Sequence, residues 1–223
     1  MGDQIALPYW QVNVPGPDRL VDCPDFLLNI SKKDFSILST PDHDYHILTW
    51  DEVCQIAKAN KLDHFQRVPS DLRRYKAYTF NLTKTYGSVA DFVLNQRLQW
   101  EAPVRARGRP FEFEDDIKIL INDWPYGIDR RIVHLVVWTK FFLEEDAVTG
   151  DLVDESRKEI DDFVTKTFRF HVPDDQIIWF KNWRGLKSVG AVEHFHVMMF
   201  NPDPDFIRSV TNGDVPQWQV FEN

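Results

Sequence analysis

VEHFHVMMF, residues 192–200, is the stretch whose reading decides the fold. It is apolar and aromatic, with two histidines two positions apart. In a strand, side chains alternate between faces, so residues at i and i+2 point the same way. Phe195, Val197 and Met199 then form a wholly apolar face suited to a core. His194, His196, Met198 and Phe200 form the other face. One strand presents packing on one side and chemistry on the other.

Upstream of it, IIWF (177–180) reads as a strand, IVHLVVWTKFFL (132–143) as a β-branched, aromatic central strand, and FEFEDDIKILIND (111–123) as further strand material. Residues 152–168 carry Ile160, Phe163, Val164 and Phe168 on a helical stripe, with acids near the start. A short helix ending at Gly213 is expected in the tail. From residue 111 the order is strand, turn, strand, helix, strand, loop, strand. That order predicts an α+β arrangement: an antiparallel sheet with a helix packed on it.

The N-terminal half reads as mainly helical. Thr49 to Glu52 fits a capping box, and the helix behind it carries Val53, Ile56 and Ala57 and ends near Asn60. Ser70 is an N-cap candidate for a helix bearing Leu72, Tyr75, Tyr78, Leu82 and Tyr86, which Gly87 stops. Ser88 with Asp91 starts another, ending near Trp100. Residues 1–48 read as an irregular arm over the core, and the Pro/Gly/Arg-rich stretch 101–110 as an exposed loop. The expected organisation is an arm and helical region (1–110) packed on an α+β domain (111–223), in one compact unit.

Composition narrows the function. The 223 residues are 43% hydrophobic and 14% aromatic, which supports a real core. A net charge of −9 argues against binding nucleic-acid backbones or anionic membranes. Cys23 and Cys54 form no CxxC spacing, so neither a zinc site nor a disulfide framework is indicated. No apolar run approaches the roughly 18 residues of a membrane span, and the first residues lack a signal-peptide pattern. The expectation is a cytosolic chain, small enough to enter the nucleus as well.

The blocks RVPSDLRRY (67–75), YGSVADFVLNQRL (86–98), DDIKILINDWPYGIDRRIVHLVVWTKF (115–141), IIWFKNWRGLKSV (177–189) and VEHFHVMMFNPDPDF (192–206) resemble the fungal N-acetylglucosamine-induced protein 1 family. That resemblance implies a link to amino-sugar response and supplies no reaction. Residues 115–202 are also similar in pattern to the histidine triad superfamily of nucleotide hydrolases and nucleotidyl transferases. The pattern runs through NDWPYG (122–127), HLVVWTK (134–140), WFKN (179–182) and HFHVM (194–198). It implies a histidine-triad-like sheet domain. The sequence departs from it at Met198, where the superfamily carries a third polar residue.

The triad resemblance implies that His196 is a nucleophile forming a covalent nucleotidyl intermediate, with His194 orienting it or bonding a phosphoryl oxygen. Lys181, Asn182, Lys187 and Ser188, with Arg184, supply the charge-assisted donors a phosphate needs. Trp124 and Tyr126 are candidates for stacking on a base or sugar, Asn122 for fixing the turn, and His134 and Lys140 for reaching phosphate. Arg73 and Arg74 sit in the first turn of a helix, where salt bridges to the chain's own acids are expected to offset them. A metal at His194 and His196 finds no other His/Asp/Glu cluster to complete it, so no metal or cofactor is expected. Two functions follow. One is a nucleotidyl transferase or phosphoanhydride hydrolase acting on a nucleotide or nucleotide sugar. The other is a catalytically inactive regulatory protein that binds a nucleotide or sugar phosphate, which Met198 favours.

Overall fold

In the computed structural model of the chain, residues 7–182 and 192–221 are described. Among them, strands β1 (Ile117–Ile121), β2 (Ile132–Thr139), β3 (Ile177–Phe180) and β4 (Glu193–Phe200) form one antiparallel sheet in the order β1-β2-β4-β3. β4 is therefore central, paired with β2 along its whole length and with β3 on its other edge. Its alternation is as the sequence reads. Phe195, Val197 and Met199 are fully buried against Leu135 and Val137 of β2 and against Ile160, Val164 and Phe168. The last three lie on helix α5 and its continuation. α5 spans Asp154–Val164 and runs into a wider π-helical turn, Thr165–Arg169. Each such side chain contributes about 1.5–3 kcal/mol of burial.

The opposite face of the sheet is covered by the N-terminal half. Helix α1 is Lys32–Leu38, α2 Trp50–Lys58, α3 Pro69–Tyr86 and α4 Val89–Phe92, which continues as a π-helical stretch to Leu98. Tyr78, Leu82, Phe92 and Leu98 pack on Leu120, Val136 and Trp138. Val53, Leu62 and Phe65 pack on Ile132, Phe180 and Met198. The arm joins through Leu27, Ile37 and Leu38 against Leu72 of α3. No helix among the described residues is long and apolar enough to cross a membrane.

Local signals explain most boundaries. The Thr49 side chain accepts the Glu52 N–H, and the Glu52 carboxylate accepts the Thr49 N–H at 2.8 Å, completing the capping box of α2. These donors and the His46 ring hold the Glu52 carboxyl down near about 2. Thr49→Ala is expected to cost about 1 kcal/mol. In thermal melts that is a fall of roughly 2–4 °C for a chain of this size. Gly87, at φ 84°, ends α3, and Ser88 caps α4 through the Asp91 N–H.

β2 stops at Thr139 and does not run through the whole 132–143 stretch, and three other boundaries differ from the sequence reading. α3 starts at Pro69 with Val68 as its cap, because proline suits the first helical position. Ser70 lies inside the helix, its N–H donating to Asp42 Oδ1 at 3.0 Å. β1 starts only at Ile117, because the buried Asp116 carboxylate accepts the Arg107 N–H at 2.7 Å and folds residues 107–116 into turns. In the tail, α6 (Pro204–Val210) is followed by a further helix, α7 (Gln217–Phe221), beyond Gly213. Arg74 pairs with Asp71, and Arg73 donates to the Trp10 carbonyl at 2.7 Å, so the protein itself occupies both arginines.

Candidate functional site

β2 and β4 bring three histidines to the helix-covered face. Trp138 lies opposite His194, Val136 opposite His196, and His134 opposite Met198. His134 is thus the diagonal neighbour of His196, within reach of a ring-to-ring hydrogen bond. His134 Nε2 lies 2.9 Å from His196 Nδ1, and His196 Nε2 lies 3.0 Å from the Asn182 amide. At the other end, Asn122 Nδ2 lies 3.0 Å from His134 Nδ1 and also donates to the Trp124 carbonyl at 3.0 Å. All three histidines and Asn182 are buried.

This chain of contacts has a direction. The Trp124 carbonyl can only accept, so the amide nitrogen of Asn122 faces it and also donates to His134 Nδ1. Burial and then the Arg67 charge push the His134 pKa down to about 3, so its ring is neutral and carries one proton. That proton sits on Nε2 and is donated to His196 Nδ1. With Nδ1 accepting, a neutral His196 ring has its proton on Nε2; the Asn182 amide, placed with Nδ2 toward that nitrogen, accepts it once its oxygen and nitrogen are exchanged, an assignment made from the hydrogen-bond network. Both ring nitrogens of His196 are engaged by the protein. Phe180 stacks on the same ring, with centroids 5.0 Å apart. His194 is held separately: its Nδ1 donates to the Val192 carbonyl at 2.9 Å, and Trp138 lies 4.5 Å from it, centroid to centroid.

A cleft of about 670 Å³, counted to its open mouth, lies over this face. Arg67, Tyr75, Asn122, Trp124, His194 and His196 are among its walls. The guanidinium of Arg67 lies 4.0 Å above the Tyr75 ring and 5.6 Å from the Tyr126 ring. Burial pushes the Tyr126 phenol up, opposed by the Arg67 charge and a hydrogen bond with Asn182.

Asn122, Trp124, Tyr126, His134 and Asn182 thus gather around His196. Two expected lysines point elsewhere. Lys140 lies 3.9 Å from the buried Asp116 carboxylate and 5.2 Å over the Trp100 ring. Lys181 is buried in ion pairs with Glu145 and, at 3.5 Å, Glu193, beside a second, open hollow of about 540 Å³ counted out into solvent. An ammonium this deep cannot be left without its carboxylates, so it stays with them. Lys187 and Ser188, with Arg184, lie outside the described residues. Among the described residues no group of three His, Cys, Asp or Glu side chains is placed to hold a metal ion. The 2.9 Å between His134 and His196 is a hydrogen bond, shorter than the roughly 3.3 Å between two ligands of a tetrahedral zinc. Arg67 is the cleft residue that the motif reading passed over. Its signal was its place directly before Val68-Pro69, at the mouth of a helix.

One solved structure shares the fold, and the names of the curated relatives supply no reaction. The chain is 28% identical over 185 residues to N-acetylglucosamine-induced protein 1 of Candida albicans, covering 74% of this chain and 73% of that protein. It is 23% identical over 159 residues to the uncharacterized protein YPL067C of Saccharomyces cerevisiae, covering 69% and 79%. The crystal structure of HTC1 superposes with a TM-score of 0.60 at 21% identity, covering 74% of this chain and 94% of that one. A family model, described as protein of unknown function (DUF3605), matches residues 49–200. With its central sheet and most of the cleft inside that match, the chain belongs to the DUF3605 family.

Proposed function

We propose that the chain is a binding protein for a small phosphorylated ligand, a nucleotide sugar or sugar phosphate, held in the cleft over the histidine face. In this reading His196 is a structural strut of the cleft and not a nucleophile. The observation that carries it is the engagement of both His196 ring nitrogens, one with His134 and one with Asn182. A nucleophilic imidazole needs a lone pair aimed at phosphorus. Here the Nδ1 lone pair accepts from His134, and Nε2 carries the proton. Met198 supports the same reading. It stands where the histidine-triad pattern has its third polar group, and it is fully buried among Val53, Leu62 and Phe65. The strand order and the HxH strand are compatible with a histidine-triad-like sheet that kept a cleft and lost its chemistry. The name of the Candida relative directs the choice of ligand toward amino sugars.

One observation favours the enzymatic alternative, a hydrolase or nucleotidyl transferase. Donation from His194 Nδ1 to the Val192 carbonyl makes Nε2 the basic nitrogen of that ring, on a residue that lines the cleft. The two readings separate in one experiment. The protein is incubated with UDP-N-acetylglucosamine, UTP and diadenosine polyphosphate, with and without divalent cations. Binding is read by calorimetry and products by chromatography. The expected result is reversible binding of the amino-sugar nucleotide without products. Turnover that disappears in both His194→Ala and His196→Ala would restore the enzymatic reading.

A further inference from the structure

We infer that Arg67 and Trp124 together form the seat for one oxyanion of the ligand, a phosphoryl group, at the base of the cleft. The inference rests on the binding reading above and adds to it the residues that hold the charge. Arg67 Nε and Trp124 Nε1 are both buried N–H donors without an acceptor among the described residues. Both residues line the same cleft. Tyr75 connects them, with the Arg67 guanidinium 4.0 Å over its ring and the Trp124 ring 6.0 Å away, centroid to centroid. Trp124 is only 3% exposed, so bulk water does not satisfy its N–H.

Buried donors are almost always satisfied, and two orphans on residues that line one cavity call for an acceptor from outside the chain. The charge distribution points the same way. Arg97, the other arginine of the cleft wall, is neutralised by Asp123 and Asp214. The contacts of Arg67 are the faces of two tyrosines, and the histidine nearest to it in charge terms, His134, is neutral. The chain carries 35 acidic residues. An arginine held against rings, with no ion pair to a carboxylate among the described residues, is placed for an anion that arrives with a ligand. A phosphoryl group carries tetrahedrally arranged oxygens, so it can accept from an arginine N–H and an indole N–H that approach from different directions. A planar carboxylate instead favours the flat fork of the guanidinium.

The test measures binding of inorganic phosphate, N-acetylglucosamine 6-phosphate, UDP-N-acetylglucosamine, sulfate, acetate and unphosphorylated N-acetylglucosamine, at low salt. The parent protein is compared with Arg67→Met, which keeps the stem over Tyr75, and with Trp124→Phe, which keeps the ring and removes only the N–H. Circular dichroism of both variants checks that they fold. Expected are binding of the phosphate-bearing ligands by the parent, at least a tenfold loss in Arg67→Met, a several-fold loss in Trp124→Phe, and no binding of the unphosphorylated sugar. Inorganic phosphate binding alone would identify free phosphate as the source of the group; stronger binding of the sugar phosphates would identify a phosphorylated sugar. Phosphate ligands that bind parent and both variants equally would overturn the seat and leave the binding reading standing. Sulfate or acetate bound through Arg67, with no phosphorylated ligand bound, would keep an anion seat but overturn its assignment to a phosphoryl group and the binding reading. No binding of any anion by the parent would overturn both.

Discussion

Arg97→Met is expected to lower folding stability by about 3–5 kcal/mol, the cost of leaving buried carboxylates without their cation. For a chain of this size that is a fall of roughly 6–20 °C in melting temperature. Arg97 lies in the π-helical stretch after α4. Its guanidinium reaches Asp214 through two bonds of 2.8 and 2.9 Å and Asp123 at 2.8 Å. Each carboxylate in turn ties down backbone. Asp214 accepts the Ile121 N–H at the end of β1, and Asp123 accepts the Gln217 N–H at the start of α7. One arginine thus fastens a helix, a strand end and the C-terminal tail. Burial already pushes the Asp123 carboxyl up, against the pull of Arg97, and removal of the cation leaves only the upward push. The deficit should therefore shrink in acid, where the carboxyls are protonated. Adding Asp123→Asn and Asp214→Asn to the Arg97→Met protein should recover at least half of the loss, because neutral amides still accept the backbone N–H groups without needing a cation. Urea unfolding of the three proteins measures this. An Arg97→Met protein as stable as the parent would remove the clasp from the description.

The second large effect is on pH dependence. His134 has a folded pKa of about 3, below the unfolded value of about 6.5. Between these two values the unfolded chain binds the proton and the folded one does not. Stability contributed through this group is therefore full above about 6.5 and is lost as pH falls toward 3. From pH 7 to pH 4 the expected loss from His134 alone is about 3 kcal/mol. His134→Gln should start lower at pH 7, since Asn122 and His196 lose a well-placed partner. It should then lose about 3 kcal/mol less than the parent over the same interval. Parallel slopes for the two proteins would show that His134 is not buried neutral, and the direction assigned to the hydrogen-bond chain would fall with it.

The parts of the molecule that were legible in the sequence are those fixed by neighbours along the chain. The alternation of 193–200 named the core face of β4 and the histidine face correctly, because a two-residue period is a local property. The capping box at Thr49, the stop at Gly87 and the strand IIWF were legible for the same reason. What was hidden depended on residues distant in sequence. Ser70 looked like a cap, yet Asp42 provides the acceptor from 28 positions away. Lys181 looked like a phosphate ligand, yet Glu145, 36 positions away, had already taken it. The helix α7 is set by Asp123, 94 residues before it. The cleft divides in the same manner. His194 and His196 announced themselves as a pair, whereas Arg67 gained its meaning only when α3 placed it above Tyr75 and Tyr126.

The most direct test of the central claim, that His196 is a strut and not a nucleophile, is the protonation state of its ring. Nitrogen-15 NMR of the imidazole rings at neutral pH, with His134→Gln and His196→Ala for assignment, reads which nitrogen carries the proton. The expected result is a neutral His196 ring with the proton on Nε2 and Nδ1 accepting from His134. A proton on Nδ1 with a bare Nε2, the form able to attack phosphorus, would contradict it.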